Sequence, residues 1–242
     1  MRISLAKEDL WRQFNEFTNE MIITKNGRNL FPCLEFKVED LSPFEFYTFT
    51  LQIDRIDSNR HKFQGGEWSS NGPGEPCGPS RVVWHPSGVK SGADWMKRDV
   101  CFDRIKLTNN VGVTDPNHIV LHSMHKYAPT LSVYQYSTCD PNFEGLATPV
   151  FQRTFGSAAF VAVTAYQNNN VKNLKVEKNK YARGFRNERK RSSSSPETPE
   201  NSAKMMPQNP EEALQMQQPW CTFPYPPSVI PGYNYPYYGY GC

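Results

Sequence analysis

Short runs in which apolar and polar residues alternate dominate the body of the chain and predict a mainly β fold. Leu34, Phe36 and Val38 alternate with Glu35 and Lys37, and Tyr47, Phe49, Leu51 and Ile53 alternate with Thr48, Thr50 and Gln52, the pattern of half-buried antiparallel strands. Further strands are predicted at Val82 to Trp84, Val100 to Leu107, Ile119 to Met124, Thr130 to Tyr136 and Ala159 to Tyr166. One helical pattern precedes them: Leu10, Trp11, Phe14 and Phe17 fall on one face, with Lys7, Glu8, Arg12, Asn15 and Glu16 elsewhere. Thr24 to Asn29 reads as a tight turn in which Gly27 takes a positive φ and Arg28 projects. The glycines and prolines of Gly65 to Ser80 predict a loop. Several strands separated by turns, with helices mainly at the ends, predict a β-sandwich or barrel, and no repeat with a period of about 20–50 residues is present.

Composition divides the chain. With 242 residues and 38% hydrophobic content it can bury one substantial core. Up to Arg191 it carries 26 Lys and Arg against 20 Asp and Glu; beyond, Lys204 stands against Glu197, Glu200, Glu211 and Glu212. A basic body suits a polyanionic partner. The tail opens on Ser192 to Ser195 followed by Pro196, Pro199, Pro207 and Pro210, which predicts disorder, and closes on Trp220 to Cys242, with six of the twelve tyrosines. Such spaced aromatics suit weak contacts with protein partners.

The six cysteines, Cys33, Cys77, Cys101, Cys139, Cys221 and Cys242, have none of the short spacings of zinc fingers or thioredoxin-like sites and are expected as unpaired thiols. The opening residues turn at once into a charged amphipathic pattern, without an apolar leader, and no apolar run reaches the roughly 20 residues that span a bilayer. A reducing, intracellular compartment and no membrane follow as expectations.

The segment Val161 to Arg186 changes this general picture. An apolar strand passes into the polar exit Gln167 to Asn170 and then into a basic stretch in which Lys172, Lys175, Lys178, Lys180, Arg183 and Arg186 supply charge for phosphates. Tyr181 and Phe185 stand four apart, so a helical turn would put both rings on one side, a shape suited to a minor groove. The competing reading of the two rings is a hydrophobic lid over the barrel end.

In order along the chain stand Leu10-Trp11 with Phe14, Asn19 to Arg28, Phe31-Pro32, Gly66-Glu67-Trp68, His85-Pro86-Ser87, Trp95-Met96-Lys97, Lys106 to Asn110, Ser123 to Tyr127, Phe160 to Asn168 and Ala182 to Arg186. Together they resemble the T-box DNA-binding domain, the family named for Brachyury, over residues 5–187, leaving 188–242 as the tail. The resemblance implies an immunoglobulin-like β-sandwich or barrel with a short N-terminal helix and a C-terminal DNA-contacting helix. It implies a nuclear transcription factor that binds double-stranded DNA, as monomer or dimer, at GGTGTGA-like sites and regulates RNA polymerase II transcription, with no cofactor.

The resemblance also assigns residues. Arg28 holds the position of an Arg that reaches a guanine in the major groove, where a forked guanidinium meets two adjacent acceptors; a solvated loop charge is the alternative. Tyr181, Ala182 and Phe185 are the candidates for the minor groove. Lys25, Lys97, Lys126, Thr164, Tyr166, Gln167, Asn168, Arg183 and Arg186 are assigned to phosphate contact or to shaping the backbone-facing surface, although Thr164 and Tyr166 suit packing at a strand end equally well. Val163, out of phase with them, is expected in the core. Arg186, Arg189, Lys190 and Arg191 form a candidate nuclear import signal.

Departures from the family pattern include Asn29 in place of an Arg, Leu30 of a Met, Lys180 of a Pro and Tyr181 of a Phe. A β-sandwich interaction module that binds protein or single-stranded nucleic acid through its aromatics, and has lost duplex readout through Asn29, Lys180 and Tyr181, is the alternative of another class; in the transcription-factor reading the tail meets transcriptional co-regulators.

Enzyme chemistry finds no support. His-Glu-x-x-His, Gly-x-Ser-x-Gly and a phosphate-cradling glycine loop are absent from the sequence. His118, His122 and His125 straddle a strand pattern that would hold them about 10–14 Å apart, too far for one metal ion.

Overall fold

The computed structural model describes residues 1–137 and 147–182. Strand β1 (Arg2–Leu5) leads into α1 (Glu8–Asn15), and β2 (Glu20–Ile22), β3 (Arg28–Asn29), β4 (Glu35–Glu39) and β5 (Phe46–Arg55) follow. β6 (Asn59–Gln64), β7 (Glu67–Pro73), β8 (Val83–Trp84) and β9 (Lys90–Ser91) precede the single turn α2 (Gly92–Trp95). Then come β10 (Val100–Cys101), β11 (Lys106–Thr108), β12 (His118–Val120), β13 (Lys126–Tyr136), β14 (Thr148–Thr154), β15 (Phe160–Val163) and α3 (Asn169–Lys178). The protein is mainly β, as the alternating patterns predict.

The main sheet runs β2-β15-β13-β5-β8, with β14 beside β13 and β9 beside β5; β1-β4-β10 and β12-β11-β3 form two three-stranded sheets. Its centre is the antiparallel pair β5 and β13, in register from Tyr127 opposite Arg55 to Tyr136 opposite Phe46. Phe49, Leu51, Ile53, Leu131 and Val133 point into the core with Phe36, Leu107 and Phe160; from α1, Trp11 joins it and the buried Phe14 packs against Phe31. The alternation is misleading on one point: Thr48, Thr50, Thr130 and Ser132 are buried too. The reverse face of the pair is covered, because Trp84 lies opposite Thr50, Tyr134 opposite Thr48, and their rings pack 5.3 Å apart.

Several elements differ from expectation. The run at Val100 to Leu107 is divided between two sheets as β10 and β11, and Phe17 lies beyond α1 and is exposed. The predicted loop Gly65 to Ser80 contains a strand: β7 pairs with β6 around Gly65 and Gly66, both at positive φ, and the Phe63 and Trp68 rings pack 5.6 Å apart. Two consecutive glycines are a hairpin signal, here hidden by the proline-rich sequence after it. The predicted strand Ile119 to Met124 stops at Val120, and Met124 turns the chain at φ +64. His122 and His125 are therefore not strung along an extended segment, and their rings meet at 5.9 Å.

Candidate nucleic-acid interface

The turn before Arg28 is built from the inside. Gly27 donates its N–H to the Thr24 carbonyl at 3.1 Å and sits at φ +76. A Cβ there would lie 2.4 Å from the His118 ring, so both backbone conformation and space call for glycine. The buried Thr108 hydroxyl faces the carbonyls of Thr24 (2.8 Å) and Lys25 (3.1 Å), and His118 Nε2 bonds the Asn26 carbonyl at 3.2 Å. The carbonyls from Thr24 to Asn26 thus all face polar groups of β11 or β12, with the single Thr108 hydroxyl proton shared between the first two. The exposed side chains of Lys25 and Arg28 leave a fixed base, and Arg28 lies opposite Leu107 in the β3–β11 pair.

A second loop is fixed beside it by one carboxylate. Glu20, wholly buried, accepts from Gln167 N (2.8 Å) through Oε2 and from Asn168 N (2.9 Å) and Trp68 Nε1 (3.1 Å) through Oε1. Burial raises the Glu20 carboxyl above the ordinary carboxylate range, while these donors and Lys175 pull it back. Tyr166 lies between the two loops: burial raises its hydroxyl, opposed by the positive charge of Arg28. Asn168 then starts α3, its Oδ1 accepting from Asn170 N at 2.9 Å while its Nδ2 donates to the Phe17 carbonyl at 3.1 Å.

Lys175 docks α3 on the body. Its Nζ, enclosed by protein, donates to the Phe31 carbonyl, lies 3.3 Å from Met21 Sδ and sits 4.6 Å from the centre of the Phe14 ring. Burial holds its ammonium well below the usual lysine range. After Lys178 the chain unwinds at Asn179, whose Oδ1 accepts from Tyr181 N and whose carbonyl accepts from Ala182 N, both at 3.0 Å. These are the bonds of an N-cap, so Asn179 both ends α3 and opens a new turn. Tyr181, 52% exposed, rides on that turn with Lys180 Nζ 5.0 Å from its ring centre.

The T-box family model matches residues 3–187. The chain belongs to the T-box family. It is 38% identical to the T-box transcription factor tbx-8 of Caenorhabditis elegans over 256 residues, covering 97% of this chain and 80% of that protein. It is 40% identical to tbx-9 of the same organism over 223 residues, 88% and 75% of the two chains, and to human TBX6 over 186 residues, 76% and 41%. T-box proteins are transcription factors, not enzymes.

The T-box residues singled out from sequence do not all meet. Arg28, Lys25, Tyr166 and Gln167 come together through the anchored loops, with Thr164 exposed in the second of them. Asn168 is a buried cap, and Lys175, read as a charge for phosphates, is consumed in docking α3; neither is available to a phosphate. Lys97 pairs with Asp94 at 2.6 Å beside the end of β4 at Lys37 to Glu39 and the following Asp40. Lys126, half-buried, opens β13 opposite Val161, and Val163 is core as expected. The predicted helical turn at Asn179 to Phe185 is visible only as its first residues, separate from α3; Arg183, Phe185, Arg186, Arg189, Lys190 and Arg191 lie outside the described residues.

Sequence reasoning did not single out Glu20 or Thr108, and weighed His118 only as a metal ligand. Glu20 leaves a trace, an acid at the head of the apolar run Met21-Ile22-Ile23. Nothing local marks His118, whose partner Asn26 is 92 residues away.

Proposed function

We propose that this T-box protein is a nuclear, sequence-specific transcription factor that grips double-stranded DNA with two anchored loops and the turn after α3, and regulates RNA polymerase II transcription from GGTGTGA-like sites. The observation that supports this best is the mounting of Arg28: a long, exposed cation on a two-residue strand whose preceding turn is immobilised by Thr108, His118 and the fit of Gly27. A guanidinium held this way can present two parallel donors to guanine O6 and N7, the strongest single-residue readout the major groove offers. Lys25 and the cationic residues after α3 neutralise flanking phosphates, which fixes register without reading sequence. Tyr181, Ala182 and Phe185 meet the minor groove, where an aromatic face packs on sugars and a small residue lets the backbone approach.

Asn29, where the family resemblance leads one to expect an Arg, donates from Nδ2 to the Asp103 carbonyl at 2.8 Å. It therefore braces the strand that carries Arg28 in place of reaching outward, and the site keeps one cationic reader. Arg186, Arg189, Lys190 and Arg191 act as the import signal, and the Pro- and Tyr-rich tail contacts co-regulators.

Selection of bound duplexes from random DNA by the full chain, at near-physiological salt, tests the reading. Enrichment of a GGTGTGA-like motif is the expected result. Binding that weakens with salt but shows no sequence preference would leave the interaction-module alternative standing.

A further inference from the structure

Away from the DNA-facing loops, the outer face of the β1-β4-β10 sheet gathers three ligand-type side chains. Cys101 lies directly opposite Glu35 in the antiparallel pair, and Cys33 precedes Glu35 by two residues. The pleat sends opposed residues and i, i+2 neighbours to one face, while Leu34 between Cys33 and Glu35, and Phe36 after them, point into the core. The two sulfurs are 3.6 Å apart, Cys101 Sγ is 3.9 Å from Glu35 Oε1, and all three donor atoms lie within 4.8 Å of one another. All three residues are half-buried, open enough for an ion to enter.

We propose that Cys33, Cys101 and Glu35 form a binding site for a thiophilic divalent cation, zinc being the best fit. Two thiolates at about 2.3 Å from a tetrahedral zinc stand about 3.8 Å apart, close to the separation found, whereas a disulfide requires about 2.05 Å. Lys7 Nζ holds Glu35 Oε2 at 2.8 Å and so leaves Oε1 to face the sulfurs, the arrangement by which an outer partner orients a ligating carboxylate. Binding releases two thiol protons to the buffer. Two thiolates and one carboxylate then exceed the charge of the dication by one, and the Lys7 ammonium offsets the excess. Water completes the fourth position. The cysteines stand 68 residues apart in sequence, so a spacing rule built on adjacent pairs does not register them.

The ion would clasp β4 to β10 next to Phe31, Pro32 and Cys33, the segment that leads away from the Arg28 strand and whose Phe31 carbonyl receives Lys175. Its predicted effect is a rise in melting temperature on metal addition.

The test uses the full chain with Cys77, Cys139, Cys221 and Cys242 changed to Ser, kept reduced with a phosphine and freed of metal. Added zinc should bind at about one ion per chain against a chromogenic chelator, protect both remaining thiols from alkylation and release protons. Cobalt in its place should give a thiolate-to-metal charge-transfer band. Cys33→Ser and Cys101→Ser, each checked for folding by circular dichroism, should abolish the band, and Glu35→Gln should weaken affinity about 10-fold or more. Absence of metal uptake, uptake without thiol protection, or bands unchanged in the Ser variants would overturn the proposal. So would a reduced chain that ignores zinc but loses two hydrogens by mass on oxidation, which would assign the pair to a disulfide.

Discussion

Glu20 Oε1 and the backbone nitrogen of Asn168 lie 2.9 Å apart, joining β2 to the cap of α3 across 148 residues of chain. The same oxygen receives Trp68 of the β6–β7 hairpin, and the second oxygen receives Gln167 N. One carboxylate thus fixes the second of the loops proposed to meet DNA, the origin of α3 and the hairpin.

Replacing Glu20 by Ala should strand three N–H donors, that of Asn168 buried and those of Gln167 and Trp68 partly so, and cost about 2–4 kcal/mol in chemical denaturation, at roughly 1–3 kcal/mol for each group left buried and unsatisfied. The pH dependence has a definite sign. Because burial raises its folded pKa, the folded chain holds the proton more tightly than the unfolded chain. The associated stability is fully present below the ordinary Glu value and is lost as pH rises through the raised value. The stability difference between the native protein and Glu20→Gln should therefore shift in favour of the native protein as pH falls from neutral towards that ordinary value. A difference that does not vary with pH would show that the folded and unfolded carboxyls titrate alike.

Gly27→Ala should be among the most damaging single-methyl additions in the protein. The new Cβ meets the His118 ring at 2.4 Å in a backbone with φ +76, and about 2 kcal/mol or more should be lost, since alanine at positive φ is strained even where space exists. His118→Ala in the same chain should recover the steric part and leave the backbone part, giving a coupling of about 0.5–2 kcal/mol in a double-mutant cycle. A coupling of zero would mean that the loop moves away from the ring.

The sequence patterns reach the frame further than the site. Alternation located β4, β5 and most of β13, because those strands bury one face against a common core. It did not expose the hairpin at Gly65-Gly66, where no residue of either strand is fully buried and period-two hydrophobicity has little to record. The resemblance singled out Arg28 and Tyr181 as candidates, but the groups that hold the Arg28 turn are neighbours only through the fold: Thr108 and His118 reach it from β11 and β12. Lys175 was misread for a related reason. On a short basic helix it has the same local sequence character as Lys172 and Lys178, and only the placement of Phe14, Met21 and Phe31 beneath α3 sets it apart.

That distinction can be measured by salt titration of DNA binding. Lys25→Ala should lower the slope of log affinity against log salt by about 1, as expected for one lost phosphate contact. Lys175→Met, which keeps the stem and removes the charge, should leave the slope unchanged. Its stability should remain within about 2 kcal/mol of the native protein, because relief from burying the ammonium offsets the orphaned Phe31 carbonyl. Burial lowers the folded pKa of Lys175, so the unfolded chain binds the extra proton between that value and the ordinary lysine value, and stability rises with pH through this window. Lys175→Met should abolish that alkaline rise. A reduced salt slope in this variant would instead return Lys175 to the interface.

Arg28→Ala should separate reading from gripping. If the guanidinium meets one guanine edge to edge, the variant loses about 1–3 kcal/mol on the preferred site and far less on unrelated duplex, and its preference relaxes at a single base pair. Arg28→Lys keeps the charge but not the fork, so it should retain the salt slope and still lose most of the discrimination at that base pair. Because Asn29 is turned to the Asp103 carbonyl, Asn29→Arg releases that brace and adds a cation, and should steepen the salt slope without adding a second position of strong preference. Binding measured against a panel of single-base variants of the selected site decides all three. A uniform loss across the panel for Arg28→Ala would reduce Arg28 to a phosphate contact.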